Sequence, residues 1–168
     1  MNITIAGTVN DSIVDGSGMR YAIFVQGCPH GCEGCHNPQT HDFFGGSVTD
    51  TDTLLAAIKA NPLLSGVTFS GGEPFCQAKE LAHLGEQIKA IGGLDIVTYT
   101  GFTLEYLLEN STDENGYSRL LNVTDYIIDG RFEIDKKDLL LKFRGSSNQR
   151  IIDVKKSLSN NCIIETEL

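Results

Sequence analysis

The run Tyr21-Ala22-Ile23-Phe24-Val25-Gln26-Gly27-Cys28-Pro29-His30-Gly31-Cys32-Glu33-Gly34-Cys35-His36 joins an apolar segment to three crowded cysteines. Tyr21–Gln26 reads as a strand that delivers the chain into a loop. Offsets of four and seven residues would share a face of a regular helix. Pro29, Gly31 and Gly34 favour an irregular loop instead, free to wrap its sulfurs around a bound group. Clustered thiolates select zinc or an iron–sulfur cluster. A [4Fe–4S] cluster held only by protein takes four cysteines. Three local ligands would leave one iron open to substrate, as a catalytic zinc keeps one position open. Two other readings stand beside this one: a zinc site, with His30, His36 or His41 completing a Cys3His set, and three unrelated thiols.

Outward from the loop, composition sets the context. The 168 residues suit one domain spanning 1–168, long enough to bury a core. Lys and Arg number 13 against 22 Asp and Glu, a formal charge of −9. That balance disfavours a nucleic-acid partner, which normally meets a basic surface. No apolar run approaches a membrane span, and Met1–Ala6 lacks the basic and apolar parts of a signal peptide. Neither nucleic acid nor membrane is expected as a partner. Five cysteines, an odd number with three crowded together, do not look like a secreted disulfide framework, so a reducing cytoplasm is expected.

Strand and helix signals alternate along the chain. A short strand is expected at Ile3–Ala6, and a loop at Asp15–Arg20, where Asp15 and Arg20 could pair locally. Asp50–Thr53 can cap a helix running through Leu54, Leu55 and Ile58 to a stop near Asn61-Pro62. Gly66–Ser70 is a compact apolar strand. Leu81, Leu84, Ile88 and Ile91 recur at helical spacing up to Gly92-Gly93. Leu94–Tyr99 reads as a strand and Thr103–Glu109 as a helix with Leu104, Leu107 and Leu108 inward. A short helix around Ser118–Leu121 precedes a strand at Asp125–Ile128, and Cys162–Glu165 is a candidate terminal strand. The alternation implies parallel βαβ units. A full (β/α)8 barrel usually needs about 250 residues, so the expected fold is α/β, a partial (β/α) barrel with a mostly parallel sheet.

In such folds the chemistry collects at the carboxyl ends of the strands. Gly71-Gly72-Glu73-Pro74, Thr100-Gly101, Asp129-Gly130 and the cysteine loop would all lie on that rim. Gly71 and Gly72 remove side chains where a ligand could approach, and Glu73 can accept from an ammonium group.

The Cys-x3-Cys-x2-Cys run and the Gly71–Pro74 turn resemble the two best-known signatures of the radical S-adenosylmethionine (SAM) enzymes. Val14–Arg20 and Phe24–Cys28 narrow the resemblance to activating enzymes of glycyl-radical proteins. Gly34–Asn37, Tyr99–Phe102, Asp129–Phe132 and Phe143–Arg150 narrow it to activators of anaerobic ribonucleoside-triphosphate reductases, across roughly residues 2 to 155. An aromatic residue often precedes the third cysteine in the superfamily; here that position is Gly34.

The resemblance implies a radical SAM partial barrel with a cluster loop at 27–41 and a SAM-binding turn at 70–74. Cys28, Cys32 and Cys35 would hold a [4Fe–4S] cluster whose fourth iron chelates SAM. Reductive cleavage would give a 5′-deoxyadenosyl radical that takes a hydrogen atom from a glycine of the reductase. No side chain is expected to do chemistry beyond the cluster and SAM. Gly71, Gly72 and Glu73 would hold the SAM amino group, and the backbone of Gly34 and His36 would line the adenine. Thr100 and Asp129 would meet the ribose or methionine end, or else act as caps. Arg144, Asn148 and Arg150 would order the rim, meet the partner or merely close a turn. The implied partners are the anaerobic reductase and a low-potential electron donor such as flavodoxin. Other glycyl-radical enzymes of the formate-lyase type are an alternative target, and an electron-transfer protein with Cys76 as fourth ligand is a third reading.

Overall fold

β-Branched and aromatic residues at alternating positions build a seven-stranded sheet, and the period of two decides what each face meets. The computed structural model describes residues 1–168. The strands are β1 (Asn2–Ser12), β2 (Arg20–Val25), β3 (Ser47–Asp50), β4 (Gly66–Gly71), β5 (Asp95–Tyr99), β6 (Tyr126–Asp129) and β7 (Arg150–Asp153). Their order is β3-β1-β2-β4-β5-β6-β7. The central four, β2, β4, β5 and β6, run parallel. β1 and β3 on one side and β7 on the other pair antiparallel. The sheet is open, as expected of a partial barrel.

The crossovers use α1 (Thr51–Lys59), α2 (Ala78–Ile91), α3 (Leu104–Glu109) and α4 (Tyr117–Val123), and α5 (Val154–Asn160) follows β7. Asp50 caps α1 through Asp52 N, as the sequence suggests, and Asp153 caps α5 through Lys156 N. Ile23, Phe69, Ile96, Ile127 and Ile152 point to the helices and join one large core with Leu81, Leu84, Ile88, Leu104, Leu107 and Leu120. The intervening residues face the other way, where Val97, Ile128 and Ile151 form a smaller cluster. Burying such side chains is worth about 1.5–3 kcal/mol each, so the helical face carries most of the stability and the other face is left for the site.

Several expectations change. β1 runs to Ser12 rather than Ala6, because its outer half pairs with β2 through register shifts between Ile5 and Gly7 and between Val9 and Ser12. β3 and β7 were not anticipated. Ile91 and Leu108 are exposed although they keep helical spacing. Glu165 forms only an isolated bridge to Ile152 in place of a terminal strand. Arg20 does not pair with Asp15. It is fully buried and donates to Thr68 Oγ1 (2.7 Å), Val67 O (2.9 Å) and Asp95 Oδ1 (2.5 Å), tying β2, β4 and β5 together beneath the site. Asp15 accepts from Ser12 Oγ instead.

Candidate active site

The carboxyl ends of the parallel strands open onto a cavity of about 630 Å³. Phe24, Ser70 and Tyr99 line it from the helix-free face of β2, β4 and β5, alternating with the core residues just described. All three expected cysteines line it, each partly exposed. No three His, Cys, Asp or Glu side chains converge tightly enough to hold a single ion. Three thiols lining one cavity are the soft ligand set that a multi-iron cluster takes. Burial pushes the Cys28 thiol up, with Glu73, Cys32 and Cys35 adding to it, while a backbone bond at His30 pulls it down. Loading the site therefore releases protons.

The glycine turn lies against the entry to the cysteine loop. Gly72 N donates to Val25 O (2.8 Å) and Glu73 N to Gly27 O (2.8 Å). A Cβ on Gly72 would sit 2.3 Å from Gly27 O, and one on Gly71 would sit 2.5 Å from Val25 N with the backbone at φ +96°. The glycines thus let the turn and the loop pack backbone to backbone while both line the cavity.

Glu73 has partners other than those expected. It is fully buried and does not line the cavity. Oε1 accepts from Phe75 N (3.0 Å) and Thr100 Oγ1 (2.8 Å); Oε2 is bonded to Gly101 N (2.8 Å) and His30 Nε2 (2.6 Å). Asp129 is also turned inward, accepting from Leu104 N (2.8 Å) at the start of α3 and from Arg150 Nε and Nη2 (3.0 and 2.6 Å). Its geometry is that of the cap, the second of the two roles expected for it.

Thr100 and His36 do line the cavity, and the His36 ring lies against Phe132 at 5.2 Å. Gly34 is behind them, where a Cβ would meet Ile134 and Phe132. Its lack of a side chain lets the cysteine loop close on residues 132–134.

Phe143, Arg144, Gly145 and Gln149 line a further part of the wall. Tyr99 donates its hydroxyl to Phe143 O (2.8 Å), and Gln149 accepts from Gly145 N and Ser146 N and donates to Gly130 O. Asn148 donates to Arg131 O (2.7 Å), so it closes the turn. Arg144 lines the cavity and donates to Gln149 O, and no carboxylate pairs with it. Tyr99 and Gln149 were not singled out from sequence; a polar residue inside a conspicuous motif was the only signal for Gln149. Cys76 opens onto a separate depression with Phe75, Lys79 and Tyr117. That placement removes it as a fourth ligand in the cavity.

The family described as "4Fe-4S single cluster domain" matches residues 14–152. A protein of Pasteurella multocida (strain Pm70) named "Anaerobic ribonucleoside-triphosphate reductase-activating protein" is 35% identical over 147 residues, covering 83% of this chain and 90% of its own. Proteins of the same name from Enterobacteria phage T4 and Vibrio cholerae are 34% and 33% identical, covering 82% and 83% of this chain and 86% and 90% of theirs. No helix is long and apolar enough to cross a membrane.

Proposed function

The chain belongs to the 4Fe-4S single cluster domain family and to that of the anaerobic ribonucleoside-triphosphate reductase-activating proteins, and on that footing we propose how its residues, 1–168 as one domain, activate such a reductase. When bound, a [4Fe–4S] cluster with SAM supplies a 5′-deoxyadenosyl radical that takes a hydrogen atom from a glycine Cα of the reductase and leaves a glycyl radical there. The protein's part is to bind, orient and exclude water.

Cys28, Cys32 and Cys35 would hold the cluster. The backbone of the Gly71–Glu73 turn receives the SAM amino group, Thr100 lines the ribose or methionine end, and His36, with Gly34 behind it, borders the adenine. Asp129 supports the rim from within through Arg150. The observation that carries this reading is that three thiols and the glycine turn line one cavity at the carboxyl rim of parallel strands. Val9, Ile13 and Val14 line the same cavity from β1 and the turn after it, and Ile13 and Val14 are 71% and 72% exposed. An apolar mouth of that kind suits a protein partner that covers it and keeps water from the radical. A low-potential donor such as flavodoxin, in a reducing cytoplasm, completes the reading.

The test is anaerobic reconstitution with iron and sulfide, then reduction with SAM in the presence and absence of an anaerobic reductase. A glycyl doublet by electron paramagnetic resonance, appearing only with the reductase and lost in Cys32→Ala, is the expected result. Deoxyadenosine without the doublet would move the target to another glycyl-radical enzyme. No cluster and no SAM cleavage would overturn the reading.

A further inference from the structure

We propose that His30 and Glu73 form a pin that sets the cysteine loop on the ends of β4 and β5, so that Glu73 is a positioning residue for the cluster and its carboxylate is not the acceptor for SAM. The inference rests on the cluster reading above and deepens it.

A carboxylate offers about four lone-pair directions, and Glu73 uses all four within the chain. Three of its partners, Phe75 N, Gly101 N and Thr100 Oγ1, belong to the turns that follow β4 and β5. The fourth, His30 Nε2, comes from the middle of the cysteine loop, between Cys28 and Cys32. Because obligate backbone donors occupy this carboxylate, it remains the acceptor, and Nε2 is the nitrogen that carries the hydrogen. No oxygen is left for an incoming ammonium unless a bond inside the chain breaks.

The surroundings are shaped for that one bond. The His30 side chain is 3% exposed and the Glu73 side chain fully buried. His30 packs edge-on against Phe102 at 4.6 Å and 76°. A Cβ on Gly101 would lie 2.4 Å from the ring, so only glycine leaves room for it. Nδ1 is buried without a partner, so the ring makes a single polar bond, and that bond goes to Glu73. Within residues 28–36 no other side chain bonds outside the loop. The pin therefore controls where the sulfurs on either side of His30 lie.

The experiment compares the parent chain with His30→Ala, His30→Gln, Glu73→Gln and the double variant His30→Ala with Glu73→Gln. Hydrogen exchange of the iron-free chains comes first, because it needs no cluster. Faster exchange over residues 28–41 with β4 and β5 unchanged is expected for His30→Ala, and near-parent exchange for His30→Gln, which can still donate to Glu73. Chelator-driven bleaching of the reconstituted chains follows. His30→Ala should lose the cluster roughly tenfold faster, as loss of one charge-assisted bond implies, Glu73→Gln at least as fast because its amide NH2 faces two donors, and the double variant no faster than the faster single. SAM affinity should fall no further in Glu73→Gln than in His30→Ala. Should Glu73→Gln fail to fold, Gly101→Ala attacks the pin from the ring side and should reproduce the His30→Ala bleaching rate. Independent, additive effects would overturn the proposal, as would Glu73→Gln weakening SAM binding at the parent rate of cluster loss. A parent chain that takes up no iron would instead overturn the cluster reading, while the exchange data would still report on the pin.

Discussion

Two loops line the cavity and are held in opposite ways. The cysteine loop is bonded at its base, Gly27 N to Thr40 O (2.7 Å) and Cys28 N to His41 O (3.2 Å), and within its span by the His30–Glu73 bond. The loop from Gly130 to Gln149 is laced by side chains: Gln149 makes three bonds, Asn148 one, and the Tyr99 hydroxyl holds Phe143 O. Arg150, at the start of β7, then bridges Asp129 and Glu105. The framing loop has its shape before any ligand arrives. Between the pin and that base, the cysteine loop leaves the stretch around Cys35 to be shaped by what its sulfur holds, as metal-coupled folding would have it.

That contrast can be broken at several points. Cys32→Ala should abolish cluster uptake altogether, read as loss of iron and of visible absorbance after reconstitution, while the thermal midpoint of the iron-free chain hardly moves. Arg150→Ala should do the reverse in the iron-free chain. It leaves Asp129 buried with its charge unpaired, which costs about 3–5 kcal/mol, and denaturant unfolding should show it. Equal effects of the two substitutions on the iron-free chain would erase the distinction between the loops.

Smaller effects sharpen it. Burial, with Glu73 and Cys28 adding to it, pushes the Cys76 thiol up to about 11. Alkylation of Cys76 in the iron-free chain should therefore rise with a midpoint near pH 11, and slow alkylation of the cluster-loaded protein at neutral pH should leave the cluster's absorbance intact. Loss of colour as Cys76 reacts would return it to the ligand set. The smallest effect belongs to Glu105, whose carboxyl the Arg150 side chain holds below its ordinary value. A depressed folded-state value gives stability that is present above the unfolded carboxylate range and lost as pH falls through the folded value. The Glu105 side chain is half exposed, so Glu105→Gln should cost no more than about 0.5 kcal/mol at neutral pH. The difference from the parent should vanish in acid unfolding experiments below the folded value.

Local signals carried much of the fold. Leu81, Leu84 and Ile88 at helical spacing gave α2, and the apolar runs at Tyr21–Val25, Val67–Phe69 and Ile96–Val97 gave three central strands. β3 and β7 escaped notice because each has only four residues and depends on a partner strand, Ser47–Asp50 on β1 and Arg150–Asp153 on β6. Among the site residues, the cysteines, Gly71, Gly72 and Thr100 line the cavity where a motif placed them. Glu73, Asp129 and Arg20 lie inside. A motif marks a polar residue as important without saying whether its charge faces a ligand or the chain.

By itself the sequence narrowed the ligand chemistry to thiolate-bound zinc or an iron–sulfur cluster and determined the class of fold. Thiolate spacing, glycine content and hydrophobic period are properties of short segments, and they act before the chain is compact. Only the tertiary structure decided that Arg20 meets Asp95, that Glu73 is saturated by four donors and that Cys76 lies outside the cavity. Each of these depends on which buried polar groups find partners far away in the chain. In a low-dielectric interior an unpaired group is costly, so the direction in which a side chain turns is settled by neighbours that no local window contains.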